Sequence, residues 1–339
     1  MLGTNPHADR FASFFEERRV CITGGAGFIG GHLADALLGL KASVRIIDDL
    51  SNSDGQHVTE LVDQHGSQVE FIHGSILDPD ALSHAVRGAD LVFHLAAIGS
   101  VPRSFEEPER TMDVNAIGTL RVAQAAVAAG ASRWVYSASS SAYGNNAALP
   151  KVESLQAEPM SPYAASKLSG ENIVHAWAHG FGLDGISLRY FNIFGPRQSA
   201  DSAYAAVIAA FAKKLLVNDP EDPPVIFGDG HQTRDFTPVA NAVYANLLAA
   251  SSRAPLGGTV VNVGCGEQIS LLQLYKRMAE LMDRREVIPR MEEARQGDVR
   301  HSVADLSRVG EVLEYAPIKD FDQGLSETAT WFGAVVQAG

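Results

Sequence analysis

The stretch Thr23–Leu38, TGGAGFIGGHLADALL, holds a GxGxxG at Gly25, Gly27 and Gly30 and, overlapping it, the wider spacing Gly24, Gly27 and Gly30. Glycines at these places permit a tight turn, let backbone come close to a pyrophosphate, and allow a helix to pack hard on a strand. The helix that opens there adds free N–H groups and the positive end of a dipole. Such a triplet alone is common in turns, so context decides. Here the apolar run RRVCITGG (18–25) precedes it, and a second run, ASVRIIDD (42–49), ends on acidic residues. An acidic side chain at that strand tip accepts both hydroxyls of a ribose and repels a 2'-phosphate. Asp48, with Asp49, Asn52 and Ser53 close behind, therefore points to NAD rather than NADP.

Further short apolar runs follow at VEFIHGS (69–75), ADLVFHLAA (89–97), SRWVYSASS (132–140) and DGISLRYFN (184–192). Helical stretches such as GGHLADALLGL (30–40) and NAIGTLRVAQAAVAAG (115–130) lie between them. Continuous apolar strands alternating with helices predict an α/β fold with a doubly wound parallel sheet covered on both faces, the Rossmann arrangement. After Asn192 the pattern changes to an Ala-rich helix (Ala203 to Leu216), the Pro-rich segment NDPEDPPVIFGDG (218–230) and a helix from Ser270 to Asp283. The helical stretch Asn241 to Ala250 and the run Gly258 to Val263 read as a return to the main sheet. The expected division is an N-terminal arm at 1–17, helical or loose, and a dinucleotide-binding domain at 18–191 plus about 236–264. A smaller discontinuous lobe takes about 192–235 plus 265–339, with a ligand crevice where the two meet.

The 339 residues carry 27 Lys and Arg against 40 Asp and Glu, a formal charge of -13. That field repels phosphate backbones and anionic membranes, so nucleic acid is an unfavoured partner. An anionic ligand must be met by a few locally placed arginines. The two cysteines, Cys21 and Cys265, lie in no zinc spacing, and the eleven histidines form no HExxH pair. No metal is expected. Cys21 sits in an apolar run and reads as core packing. The first nineteen residues are charged and lack a long apolar run, unlike a signal peptide, and no stretch approaches a membrane span. The expected compartment is the reduced cytoplasm.

In SPYAASK (161–167), Tyr163 and Lys167 stand four apart after a proline, on one face of a helix. An ammonium beside a phenol favours the phenolate and lowers the tyrosine pKa from near 10. Tyr163 is then a candidate general base for a sugar hydroxyl. Ser139, Ser140 and Ser141 end a strand whose C-terminus faces the cofactor crevice in such a fold, so one of them can share the proton.

Together TGGAGFIG, SSSAYG, SPYAASK and LRYFNIFGPRQ resemble the extended short-chain dehydrogenase/reductase family. The runs IGSVPRS, LPKVE, YAAVI, FGDGHQTRDF and QGDVRHSVAD resemble its bacterial UDP-N-acetylglucosamine 4-epimerase branch, and the likeness runs from about Arg19 to Gly339. The resemblance implies hydride removal from C4 of a UDP-sugar by NAD, rotation of the 4-keto sugar, and hydride return to the other face. It also implies a homodimer and a place in polysaccharide biosynthesis.

Carried onto this chain, the resemblance makes Tyr163 the base, Lys167 its electrostatic partner and Ser139 the hydroxyl helper. It gives the cofactor Gly24, Gly27, Phe28, Ile29, Gly30, Asp48, Asp49, Asn52, Ser53, Ser75, Ile76, Leu95, Ala96, Ala97, Asn115 and Tyr190, together with Tyr163 and Lys167 themselves. It gives the nucleotide sugar Gly99, Ser100, Ser140, Ser141, Asn192, Gln198, Ala206, Val207, Phe227, Arg234, Arg295, Asp298 and Ser302. Arg234 and Arg295 are the phosphate arginines, suited to a bidentate grip; Asp298 lies by the nucleoside ribose, and Ser302 and Gly99 leave room at C2 for an N-acetyl group. One departure stands out: the family usually has an aspartate where this chain has Ser75.

Related chemistries fit less well. A dehydratase wants a carboxylic acid pair where Ser140 and Ser141 stand, a decarboxylase needs a basic group for the C6 carboxylate, and a non-catalytic sensor usually loses the Tyr or the Lys. A plain hexose or a uronic acid remains an alternative to the N-acetylhexosamine.

Overall fold

A computed structural model describes residues 7–200, 206–294 and 299–338. Six strands, β1 (Arg19–Thr23), β2 (Ser43–Asp48), β3 (Val69–His73), β4 (Leu91–His94), β5 (Arg133–Ser139) and β6 (Asp184–Tyr190), build most of the main sheet. A seventh, Thr259–Val263, joins it beyond β6, and the spatial order is that strand, then β6, β5, β4, β1, β2 and β3. Every pairing in this sheet is parallel, with Cys21 of β1 set between Arg45 of β2 and Val92 of β4. Chain order reverses on either side of β1, so loops diverge there and leave a crevice at the strand C-termini.

The helices are α1 (Ala8–Phe15), α2 (Phe28–Gly39), α3 (Gln56–His65), α4 (Pro79–Val86), α5 (Val101–Glu106), α6 (Pro108–Met112), α7 (Gly118–Ala129) and α8 (Pro162–Gly180). After them come α9 (Val207–Val217), α10 (Val239–Ala250), α11 (Leu271–Leu281), α12 (Ser307–Leu313) and α13 (Phe321–Ala338). Their starts follow local chemistry. Asp78 accepts from the N–H groups of Asp80 and Ala81, with Pro79 first in α4. Ser161 accepts from Ala164 N ahead of Pro162 in α8, and Ser270 forms a reciprocal cap with Gln273 at α11.

Packing divides the apolar residues into three main groups. One face of the sheet joins Ile22, Val44 and Ile46 to α2 and α10, and the other joins Cys21, Val92 and Trp134 to α4, α7 and α8. A separate core of Phe211, Phe236, Leu274, Met278 and Phe321 sits in the later part of the chain. Within the N-terminal segment, Ala8–Phe15 form a docked helix, with Phe11 and Phe15 of α1 fully buried against the first core. No helix among the described residues is long and apolar enough to cross a membrane.

Candidate active site

Gly24 takes φ +72 immediately after β1, and a Cβ there would lie 2.5 Å from Ala96 N. A Cβ on Gly30 would lie 2.2 Å from the carbonyl oxygen of Gly24, so α2 can approach β1 this closely only with glycine at that turn. The loop and helix start face a cleft of about 100 Å³ lined by Gly24, Gly27, Asp48, Asp49, Asn52, Ser53, Ser75, Ile76, Leu95, Ala96 and Ala97. All come from the C-terminal ends of β1 to β4. Asp48 accepts from Ala26 N at 3.0 Å and Leu50 N at 2.9 Å, which fixes its carboxylate at the cleft wall. Burial raises its pKa, while the N–H donors of Leu50, Ala26 and Gly27 oppose that rise.

The donor set suits a dinucleotide: a glycine turn for the pyrophosphate, a helix N-terminus behind it, and an acidic strand tip for a ribose. Other expected contacts lie differently. Asn115 is buried with its amide committed to the Ile98 backbone and to Ser166 Oγ, so it braces the cleft wall. Phe28 packs edge-on against His32, with its ring tip close to Gly195. Ile29 packs against the first core. The Tyr190 hydroxyl is held by Asn246 Nδ2 at 2.6 Å and Ser137 Oγ at 3.3 Å. The Asn115 amide is thus committed within the protein, and the Tyr190 oxygen accepts two hydrogen bonds.

The sequence reading missed Ile47, Ser51, Gly74, Ile98, Arg110 and Val114, which line the same cleft. The first four flank predicted residues and follow from strand ends. Val114 flanks the predicted Asn115 in the π-helical turn after α6, whereas Arg110 comes from α6 itself, with no local signal.

Elsewhere at the C-terminal side of the sheet, β5 delivers Ser139 and α8 delivers Tyr163, and their hydroxyls are hydrogen bonded. Ser139 Oγ also takes hydrogen bonds from the N–H and hydroxyl of Ser141. The expected lowering of the Tyr163 pKa is overturned here: burial raises it, and the Ser139 hydrogen bond only opposes the rise. The reason is where the ammonium goes. Lys167 Nζ donates to the Ser137 carbonyl at 2.9 Å and lies 5.2 Å from the Tyr136 ring centre. Burial lowers the Lys167 pKa to about 8, against the pull of Glu171 one turn on. Glu171 is gripped by Arg189 at 2.8 and 2.7 Å, both side chains buried.

On the other flank, Asp235 is fully buried and accepts from Cys265 N, Gly266 N and Ala304 N at 2.8, 2.9 and 3.1 Å. It joins three separate segments beside Arg234. Asn192 Nδ2 donates to the Asp235 carbonyl, and Gln198 Nε2 to Ile193 O, leaving the buried Gln198 Oε1 without a protein partner. Ser302 N donates to Thr233 O, next to the His301–Thr233 bridge. Phe227 ends a short strand, and Ala206 and Val207 begin α9. Ser100 caps α5 through Arg103 N. At Gly99 an added Cβ would meet no atom within 4 Å. Arg295 and Asp298 lie outside the described residues.

With this geometry in place, comparison with known proteins is specific. Residues 20–264 match the model of the NAD dependent epimerase/dehydratase family, and the chain belongs to that family. It is an NAD-dependent epimerase, an isomerase. A UDP-glucose 4-epimerase of Mycolicibacterium smegmatis is 34% identical, covering 93% of this chain and 98% of its own. A solved UDP-N-acetylglucosamine 4-epimerase from Methanobrevibacter ruminantium, in complex with UDP-N-acetylmuramic acid, superposes with TM-score 0.87 at 36% identity, covering 94% of this chain and 99% of that one. A UDP-glucuronic acid 4-epimerase from Bacillus cereus, in complex with UDP-glucuronic acid and NAD, gives TM-score 0.85 at 29% identity, with 94% and 99% covered.

Proposed function

We propose that the chain interconverts C4 epimers of a UDP-sugar, with UDP-N-acetylglucosamine and UDP-N-acetylgalactosamine as the preferred pair. The observation that carries the chemistry is the Tyr163–Ser139 hydrogen bond, on the helix that also carries Lys167 and that Ser166 ties through Asn115 to Ile98 of the cleft wall. Bound NAD supplies the hydride acceptor and donor for C4. Tyr163 takes the proton of the C4 hydroxyl, and Ser139 shares it through the existing hydrogen bond. Because burial alone keeps Tyr163 protonated, its activation requires a positive charge. Lys167 supplies it from the same helical face when its ammonium turns from the Ser137 carbonyl. Arg234 and Arg295 neutralise the diphosphate, which the overall charge of -13 otherwise repels. Asp298 takes the nucleoside ribose, and Ser140 and Ser141 line the sugar.

The preference for an N-acetyl group rests on space at Gly99 and on the small side chain of Ser302. Plain hexoses and uronic acids are the second reading, favoured by the substrates named for two of the relatives. Incubating purified protein with UDP-N-acetylglucosamine, UDP-glucose and UDP-glucuronic acid, then separating C4 epimers, tests both. The acetylated pair should equilibrate fastest with no added nicotinamide. Faster turnover of UDP-glucose or UDP-glucuronic acid rejects the preference. We further propose a homodimer, checked by light scattering.

A further inference from the structure

The family habit of an acidic residue at position 75 leaves a question at the adenine end of the cleft, because Ser75 stands there and its hydroxyl oxygen already accepts from Leu77 N at 3.2 Å. Across the same cleft lies Arg110, the one arginine among the lining residues, together with Ile76 and Val114. Its position is not accidental. Glu107 holds Arg110 Nη1 at 3.1 Å through one carboxylate oxygen and Arg103 Nε at 3.1 Å through the other. Arg103 in turn donates to Asn52 Oδ1 at 3.1 Å, on the loop beyond β2. The sequence Arg103–Glu107–Arg110 therefore ties α5 and α6 to the loop beyond β2 and holds Arg110 in the cleft lining. The Arg110 side chain is 53% exposed even with the Glu107 ion pair formed, so about half of it remains accessible.

We propose that Arg110 is the adenine-binding residue of this chain, replacing the carboxylate that position 75 lacks. The two groups read different features. A carboxylate accepts from the N6 amino group, whereas a guanidinium has only donors and addresses ring nitrogens or the π-face. This chain then binds the dinucleotide without demanding a 6-amino group. The inference rests on the cleft being the NAD site.

Nucleotide-depleted protein is titrated with NAD and with nicotinamide hypoxanthine dinucleotide, following quenching of intrinsic fluorescence. Wild type should bind both within about threefold of each other. Arg110→Ala should weaken both by about tenfold, a loss within the range of a partly desolvated cation–π contact. Arg110→Lys, which keeps charge but loses the plane, should fall between. Adding Ser75→Asp to Arg110→Ala should recover NAD binding selectively. The proposal fails if Arg110→Ala leaves both affinities within about twofold of wild type, or if wild type rejects the hypoxanthine form by more than about tenfold. Wild type that binds neither dinucleotide overturns the site and the arginine together. Wild type that binds NAD indifferently to Arg110 removes only the arginine.

Discussion

The dinucleotide cleft and the proposed sugar side are assembled in contrasting ways. Most of the cleft is made from consecutive ends of one sheet: apart from Arg110 and Val114, each lining residue lies at or just after the C-terminal end of the strand that places it. The sugar side collects residues 192–198, 233–236, 264–266 and 301–304, which meet only after the chain has folded. Asp235 stitches the last three of these segments together. A ligand site on one sheet edge inherits its precision from strand register, whereas a site gathered from scattered loops needs a dedicated internal tie.

The largest effect should come where both halves act on one proton. Tyr163→Phe removes the base and should lower turnover by about 10² to 10⁴, or more, while leaving NAD retention intact. Rapid-quench turnover with an absorbance measurement of bound nucleotide checks this. Retained turnover would break the assignment, and lost NAD would mean that Tyr163 belongs to the cofactor half.

Asp235→Ala should unfold the sugar-side tie and spare the cleft. Three backbone N–H groups would lose a buried carboxylate partner, costing on the order of 3 kcal/mol. Denaturant melts of the variant should show this loss, with NAD affinity near wild type and a raised KM for the nucleotide sugar. Equal damage to both affinities would show that the two regions are not separately built.

This contrast also explains what could be read from the sequence. GxGxxG, the acidic tip Asp48 and the serine-tipped β5 were legible because each motif sits within a few residues of the strand that gives it meaning. Tyr163 and Lys167 were legible for another local reason, the four-residue spacing that puts both on one face of α8. What escaped was long-range. Nothing near Asp235 announces that it accepts from residues about thirty and seventy positions away, and nothing near Arg110 places it over the cleft. The Lys167 effect on Tyr163 was also misjudged, since one helical face does not fix where a flexible ammonium points; the Ser137 carbonyl takes it.

That lysine offers a test with a definite sign. Its folded pKa of about 8 lies below the free value of 10.5. Between those values the unfolded chain holds a proton that the folded chain lacks, so stability of nucleotide-free protein rises with pH through that window. At neutral pH the buried charge is a net cost. Lys167→Met should therefore melt higher than wild type at pH 7, by on the order of 1–3 kcal/mol less the lost Ser137 hydrogen bond, and flatten the slope between about pH 8 and 10.5. Turnover should fall sharply. A melting point that drops, with the slope unchanged, would mean that Lys167 is not held as a desolvated cation.

The smallest expected change is the most discriminating for substrate. Ser302 follows the His301–Thr233 bridge, its own N–H is fixed to Thr233 O, and the next carbonyl, Val303 O, accepts from Lys151 N, so backbone at this position is held before and after it and resists moving aside for a larger side chain. If the resemblance places Ser302 against C2 of the sugar, a tyrosine there occupies the volume of an acetamido group but leaves a hydroxyl room. Ser302→Tyr should lower kcat/KM for UDP-N-acetylglucosamine by about tenfold or more relative to UDP-glucose, because steric exclusion acts on one substrate while hydride and proton transfer are untouched. The ratio is the measurement, taken with both substrates competing in one vessel. A common loss on both substrates would place Ser302 in the general support of the sugar side, and no loss on either would move the C2 wall elsewhere, with Gly99 as the next position to fill.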